Sequence, residues 1–342
     1  MAYTTINKST DHFAVKLWTG NGSTQNIPGL DFQPDWVWLK NRDASNQEPC
    51  IYDALRGVQQ RIFTSTNGGN SSSGTGGLTA FNSDGYSLGS AGNNNGNGVN
   101  YVGWNWKANG QGSSNTDGTI NTTYTSVNST AGFSISTYTG TGSNATFGHG
   151  LGVKPKMFII KRTSGNEDWA VYHESMTASY YMNLNTNAEQ QSNNRWNGEP
   201  DTSVIKLQTH AAVNGNGDTY VCYAFAEKAG YSKFGKYIGN GNANGTFVYT
   251  GFKPAFIMVK RYDGAGLSWR TFDEKRNYNG DREFYYANLN DAEVGGDNMD
   301  FLSNGFKNRN TSGHQNGNSD DYIYMAFGQS LVGTNNIPAT AR

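Results

Sequence analysis

Short apolar runs closed off by proline on one side and lysine on the other recur along this chain. The clearest reads Gly251-Phe-Lys-Pro-Ala-Phe-Ile-Met-Val-Lys260, and Gly152-Val-Lys-Pro-Lys-Met-Phe-Ile-Ile-Lys161 repeats it. A third version is Leu30-Asp-Phe-Gln-Pro-Asp-Trp-Val-Trp-Leu-Lys40. The proline stands six residues before the lysine each time. Runs this short, β-branched and aromatic, predict strands, with Pro34, Pro155 and Pro254 at the strand starts, where a missing N–H costs no ladder bond. Because the runs are continuously apolar, both faces of each strand are expected to be covered.

The runs belong to a longer repeat. Each copy opens on an aromatic residue and a glycine pair: Trp18-Thr-Gly-Asn-Gly22, Tyr138-Thr-Gly-Thr-Gly142 and Tyr237-Ile-Gly-Asn-Gly241. The proline-to-lysine strand follows, then Asp168-Trp-Ala-Val-Tyr-His173 or Ser268-Trp-Arg-Thr-Phe-Asp273, where the first copy offers only Ile51-Tyr-Asp53. Each copy closes on an aromatic strand: Asn100-Tyr-Val-Gly-Trp-Asn-Trp106, Thr219-Tyr-Val-Cys-Tyr-Ala-Phe225 and Asp321-Tyr-Ile-Tyr-Met-Ala-Phe327. Asn95-Gly96, Asn214-Gly215 and Asn316-Gly317 precede these strands and read as type I′ hairpin turns.

The expected fold is all-β, with three tandem β-sandwich or jelly-roll-like repeats of about a hundred residues each. The boundaries are residues 1–107 for the first repeat with its N-terminal arm, 108–132 for a Gly/Ser/Asn/Thr-rich linker that reads alternatively as an extended surface strand, and 133–227 for the second repeat. Residues 228–330 form the third and 331–342 a tail. The Gly/Ser stretch 67–77 reads as a mobile loop. Three similar units are expected to bury one another around a local pseudo-threefold axis.

Composition sharpens this picture. Glycine numbers 44 and aromatics reach 13%, while charged residues are only 15%, which suits many tight turns on pleated surfaces and not disorder. A net charge of -1 provides no field for a polyanion or an anionic membrane, so nucleic acid is not an expected partner. The two cysteines, Cys50 and Cys222, cannot build a disulfide framework, and Cys222 reads as a buried small hydrophobe. No run has membrane-spanning length, so membrane insertion is not expected, and the N-terminus lacks the pattern of a signal peptide.

Candidate chemistry is sparse. The histidines His12, His149, His173, His210 and His314 show no metal-ligand spacing, and His149 reads as a solvated turn residue. Glu167-Asp168, Asp273-Glu274 and Asp297 with Asp300 are conceivable glycosidase pairs, but turns use such residues anyway. Asn214–Asp218 and Asn318–Asp321 present oxygen atoms without EF-hand spacing, and no cofactor or metal is expected. Among the aromatics, Trp196 stands in the polar stretch Asn194-Arg-Trp-Asn-Gly198. It is expected to be the most exposed tryptophan and, with Arg195, the candidate ligand or interface contact, against a local packing role. Trp169 and Trp269 occupy equivalent places that fit a core.

Several phrases are similar to a family of marine bacteriophage proteins. They are the opening Met1-Ala-Tyr-Thr-Thr-Ile, Thr19-Gly-Asn-Gly-Ser23, Phe81-Asn-Ser-Asp-Gly-Tyr-Ser-Leu-Gly89, Gly148-His-Gly-Leu-Gly152, Glu227-Lys-Ala-Gly-Tyr-Ser-Lys-Phe234 and Ile337-Pro-Ala-Thr-Ala-Arg342. The resemblance spans nearly the whole chain and implies a non-enzymatic virion structural protein of the tail-fibre or lectin-like kind. No catalytic residue is transferred with it. The expected partners are other virion proteins and a host surface glycan, with the chain homo-oligomeric or in many copies on a virion assembled in the host cytoplasm. A capsid decoration protein is the alternative reading, and a polysaccharide depolymerase a distant third.

Overall fold

The structure, a computed structural model, describes residues 4–276, 283–296 and 298–330, so the expected tail 331–342 lies outside the described residues. It is all-β, and its strands fall into three larger antiparallel sheets and three smaller ones. In the first large sheet, strand Phe13–Thr19 lies beside Asn100–Trp106, then Trp36–Asn41, Cys50–Asp53 and Gln60–Phe63. Strands from residues 133 to 225 repeat that order as Phe133–Thr139, Thr219–Phe225, Met157–Arg162, Ala170–His173 and Tyr180–Asn183. The last part repeats it as Ser232–Ile238, Asp321–Ser330, Phe252–Arg261, Arg270–Asp273 and Tyr285–Tyr286. The first and last strands of each segment are therefore neighbours, with the proline-to-lysine strand beside the last.

A small sheet covers the outer face of each large one, making a sandwich. Side-chain alternation divides the strands between two cores. In the first segment Val37, Leu39, Cys50 and Tyr52 point outward to Ile27, Leu78, Tyr86 and Leu88 of the small sheet. Phe158 and Ile160 do the same in the second segment, and Ile257 and Val259 in the third. The other face turns inward: Trp36, Trp38, Trp104, Trp106, Met157, Ile159, Phe256 and Met258 all join one shared cluster. The apolar runs are thus covered on both faces, as their composition requires.

That inner cluster is where the three segments meet. Trp36 stacks on Tyr223 at 4.8 Å and reaches Phe133 at 5.7 Å, joining first to second. Phe13 lies 5.5 Å from Phe327, and Trp106 packs edge-on to Phe256 at 5.6 Å, joining first to third. Phe225 meets Phe327 at 5.9 Å, joining second to third. Among the described residues the indole N–H groups of Trp36, Trp38 and Trp106 have no hydrogen-bond acceptor, so these rings are held there by packing.

Several local expectations are corrected. Pro34 and Pro155 do precede their strands, but Pro254 lies inside Phe252–Arg261, where the register slips between Pro254 and Phe256. A bulge is a place where a strand tolerates a residue without an N–H. Neither Asn95-Gly96 nor Asn214-Gly215 forms a type I′ turn. Each asparagine ends a one-turn helix, Gly92–Asn95 or Ala211–Asn214, and the next glycine has φ of -63° or -62°. The stretch 67–77 is fastened, since the Asn70 N–H donates to the Thr163 carbonyl at 2.9 Å and the Glu167 N–H to that of Asn67 at 2.9 Å. A Cβ on Gly69 would stand 2.8 Å from the Thr163 oxygen, so only glycine allows this approach. Of the two readings of residues 108–132, the extended strand holds for Tyr124–Asn128, which edges the second large sheet, and Asp35 anchors the start of the stretch by accepting the Ala108 N–H at 2.7 Å.

Replacing Phe256 or Trp269 by alanine is expected to cost about 3–5 kcal/mol, because each is buried in the shared cluster. His314 is half-buried with its ring 5.4 Å from Tyr286, so exposed Lys236 serves as the surface control. Lys236→Ala should stay within about 0.5 kcal/mol. Urea denaturation checks both, and equal small effects at all three positions would contradict the core assignment.

Candidate functional site

Polar groups inside the molecule gather at the seams between segments. The strand after each proline-to-lysine strand ends on Asp53, His173 or Asp273, and all three residues are buried. Asp53 of the first segment accepts the Tyr223 hydroxyl of the second at 2.7 Å. Asp273 of the third accepts the Trp104 indole N–H of the first at 3.0 Å. His173 of the second faces the Tyr324 carbonyl of the third through Nε2 at 3.2 Å. These contacts run head to tail around a ring.

Local chemistry explains the choice of side chain. Asp53 caps its own turn by accepting the Leu55 and Arg56 N–H groups at 3.1 and 2.9 Å, and it pairs with Arg56 Nε at 2.5 Å. Asp273 repeats this with Lys275, Arg276 and an Arg276 ion pair of 2.7 Å. Arg276 continues to Glu293 at 2.9 Å, and Glu293 to Arg42 at 2.8 Å, which carries the network back into the first segment. At His173 the neighbour offers a carbonyl oxygen instead of a donor, so a neutral imidazole fits. Nδ1 accepts the Ser175 N–H at 3.2 Å, which leaves the proton on Nε2 to donate to Tyr324. Burial pushes the His173 pKa down to about 4.

A second set of contacts crosses the same seams in the opposite sense, each segment reaching back to the one before it in the ring. Trp169 donates its indole N–H to the Phe63 carbonyl at 3.1 Å, and Trp269 to the Asn183 carbonyl at 3.0 Å. The first segment has no tryptophan there, and Thr64 closes that seam by donating to the Ala287 carbonyl at 2.6 Å. Lys40, Lys161 and Lys260 end the inward-facing rows and are buried. Lys161 donates to the carbonyls of Asn67, Arg162 and Glu167 at 3.1, 2.9 and 2.8 Å, the first across the seam. Desolvation pushes the pKa of each of these lysines down to about 8.

At the loop end of each segment the glycine pair serves a buried asparagine. Asn214 Nδ2 donates to the Ser143 and Gln208 carbonyls at 2.6 and 3.0 Å, and its Oδ1 accepts the Thr141 N–H at 2.8 Å. Asn95 and Asn316 make the corresponding bonds. The amide that looked like a cation ligand is therefore committed to holding loops. Among the described residues no cluster of three or more histidine, cysteine or acidic side chains is placed to hold a metal.

Trp196 and Arg195 lie elsewhere than their sequence surroundings suggest. Trp196 is 1% exposed, packs edge-on to Phe158 at 4.9 Å and donates to the Tyr180 carbonyl at 3.2 Å. It bridges to Leu207 and so stands where the other small sheets have a third strand. Arg195 is buried too, its guanidinium 4.3 Å above the Tyr181 ring. The expected exposure of Trp196 is corrected: one large apolar residue among polar neighbours marks an anchored loop. His149 is likewise buried, its Nδ1 accepting the Leu151 N–H at 3.1 Å. Asp168 accepts from Asn183 and Asn185 at 3.2 and 2.7 Å, and Asp300 pairs with Arg309 at 2.5 Å, while Asp297 lies outside the described residues.

The apolar side chains that do face solvent were not singled out from the sequence. Tyr249, Ile238 and Phe247 are 57%, 59% and 44% exposed and belong to one corner of the third segment. The available signal was the short alternation Phe247-Val248-Tyr249, in which only Val248 faces the core. Among the described residues no helix is long and apolar enough to cross a membrane.

A family described as a domain of unknown function, DUF7483, matches residues 8–330. The chain belongs to that family, and the match runs through all three large sheets. No curated protein matches the chain.

The pKa of His173 gives a test of the seam. Its folded pKa of about 4 lies below the ordinary 6.5, so the unfolded chain binds the extra proton between those values. Stability should therefore fall as pH drops from about 6.5 toward 4, and His173→Asn should flatten that fall. Urea midpoints across this range check it. An unchanged pH slope in the variant would show that His173 does not carry the effect.

Proposed function

We propose that this protein works by contact and without turnover, as a structural component displayed on a bacteriophage particle. The preferred place is a tail fibre or similar appendage that touches the host envelope. The carrying observation is how its polar groups are used. Asp53, Asp273, Glu293, His173 and Lys161 are engaged in holding segment to segment, and Lys40 and Lys260 are committed to carbonyls of their own segments, so the chemistry of the interior is spent on rigidity. A rigid scaffold with loops and sheet edges outward is the usual platform for recognition. The phage resemblance of the N-terminal phrases and the glycine-pair turns supplies the setting.

One observation favours the second reading, a decoration protein on the phage head. The head-to-tail ring of contacts gives a single chain three similar faces, a shape suited to a position of threefold local symmetry on a particle. In either place the near-neutral charge offers little steering, and many copies would raise avidity by about 10²–10⁴.

The purified chain should bind host envelope, and should do so far more tightly as a multivalent display than as single copies. Pull-down on host cells and on particles lacking the protein, side by side, separates the readings: binding only to particles favours decoration. Release of reducing sugar from host polysaccharide, abolished by changing one carboxylate, would overturn both.

A further inference from the structure

The same sheet edge occurs three times in this molecule and is treated in three ways. Strands Gln25–Pro28, Ala145–Gly148 and Phe247–Tyr249 each lie at the margin of their small sheet. Pairing with the neighbouring strand aligns Asn26, Thr146 and Phe247, which face Ser87, Lys206 and Lys307. It likewise aligns Pro28, Gly148 and Tyr249, which face Gly85, Val204 and Gly305.

In the first segment Pro28 removes the outward N–H, a common way to blunt an edge. In the second the chain covers its own edge. Ile120 donates its N–H to the Thr146 carbonyl at 2.8 Å, and Thr119 and Thr146 exchange backbone-to-hydroxyl bonds of 2.9 Å. Gly118 lets this cover approach, since a Cβ there would stand 2.4 Å from the Thr146 oxygen. In the third segment neither device is present, and among the described residues no strand lies beyond Phe247–Tyr249.

The open edge is also apolar. Thr246 accepts the Asn308 N–H at 3.1 Å and Thr250 donates to the Asn304 carbonyl at 3.0 Å, so the even-numbered residues bond inward to their own sheet. The peptide groups of Phe247 and Tyr249 consequently point to the free side. Their side chains lie on the outer face, 44% and 57% exposed. Thr246 also donates to the Ile238 carbonyl at 2.7 Å, which ties a third exposed apolar residue to this corner. The other two segments have Thr19 and Thr139 where the third has Ile238.

We propose that this edge pairs with the same edge of a second copy of the chain, antiparallel, about a twofold axis through Val248. The occupant follows from self-complementarity. Rotation about Val248 sets Phe247 opposite the partner's Tyr249, and a pair of that type exchanges both of its N–H···O bonds. The two aromatic rings then form a cross-strand pair on a shared outer face. Charge does not oppose it, because Lys307 beside Phe247 is itself faced by Asp300 and the whole chain carries only -1. The two three-stranded sheets become one continuous sheet.

Sedimentation velocity of the full chain over a concentration series tests this. A reversible monomer–dimer equilibrium is expected. Tyr249→Pro, which copies the first segment and removes an N–H not used in the chain's own sheet, should weaken the dimer by about tenfold or more. Phe247→Thr, copying the second segment at an exposed side chain, should weaken it as well and carries the test if the proline variant fails to fold. Lys236→Ala should leave the equilibrium unchanged. A chain that stays monomeric throughout, or dimers of equal strength in wild type and Phe247→Thr, would overturn the proposal. So would a monomeric chain that instead binds a synthetic peptide of residues 115–122, since the occupant would then be an extended segment and not this edge.

Discussion

Each large sheet in this protein has an inner face of tryptophan, phenylalanine and methionine that its own segment does not cover. Small sheets cover only the outer faces. Burial of the inner faces therefore requires all three segments at once, and the shared cluster that results contains residues from every one of them. A domain needs a second layer to bury an apolar sheet face. Here that layer is supplied mutually, so the three segments depend on one another for their stability.

Apolar packing by itself does not fix how three similar sheets are arranged. The polar seam contacts do. Asp53 and Asp273 accept donors from the following segment in the ring, and His173 donates to a carbonyl in the same relation. A buried donor left without its acceptor is costly, so any arrangement that separates the Trp104 indole N–H from Asp273 is penalised. At one end of the core Lys161 adds a bond across a seam, while Lys40 and Lys260 bond carbonyls of their own segments. At the remaining seam Pro49 stands in the place of Trp169 and Trp269, and Thr64, at a different position, supplies a hydroxyl bond instead.

Much of the strand framework was legible because burial on two faces leaves an uninterrupted apolar run, as in Trp36-Val-Trp-Leu39 and Phe256-Ile-Met-Val259. What composition concealed was order created by backbone bonds. Residues 67–77 and 108–132 contain few large apolar side chains and so read as loose, yet Asn70, Glu167 and Ala108 tie them down through peptide groups that carry no sequence signal. Lysine at the end of a strand reads as the point where the chain meets water. Lys161 instead finds three carbonyls. Trp196 failed for the converse reason, since its polar neighbours Asn193 and Arg195 are themselves turned inward to hold its loop. The exposed corner at Phe247 and Tyr249 was hidden because alternation shows that two residues share a face, and not whether that face is covered.

The central claim is that the three segments form one cooperative structure through a shared core. Differential scanning calorimetry of the intact chain tests it most directly. A single transition with calorimetric and van't Hoff enthalpies in agreement is the predicted result. Three resolved transitions, each with the enthalpy of about a hundred residues, would contradict it.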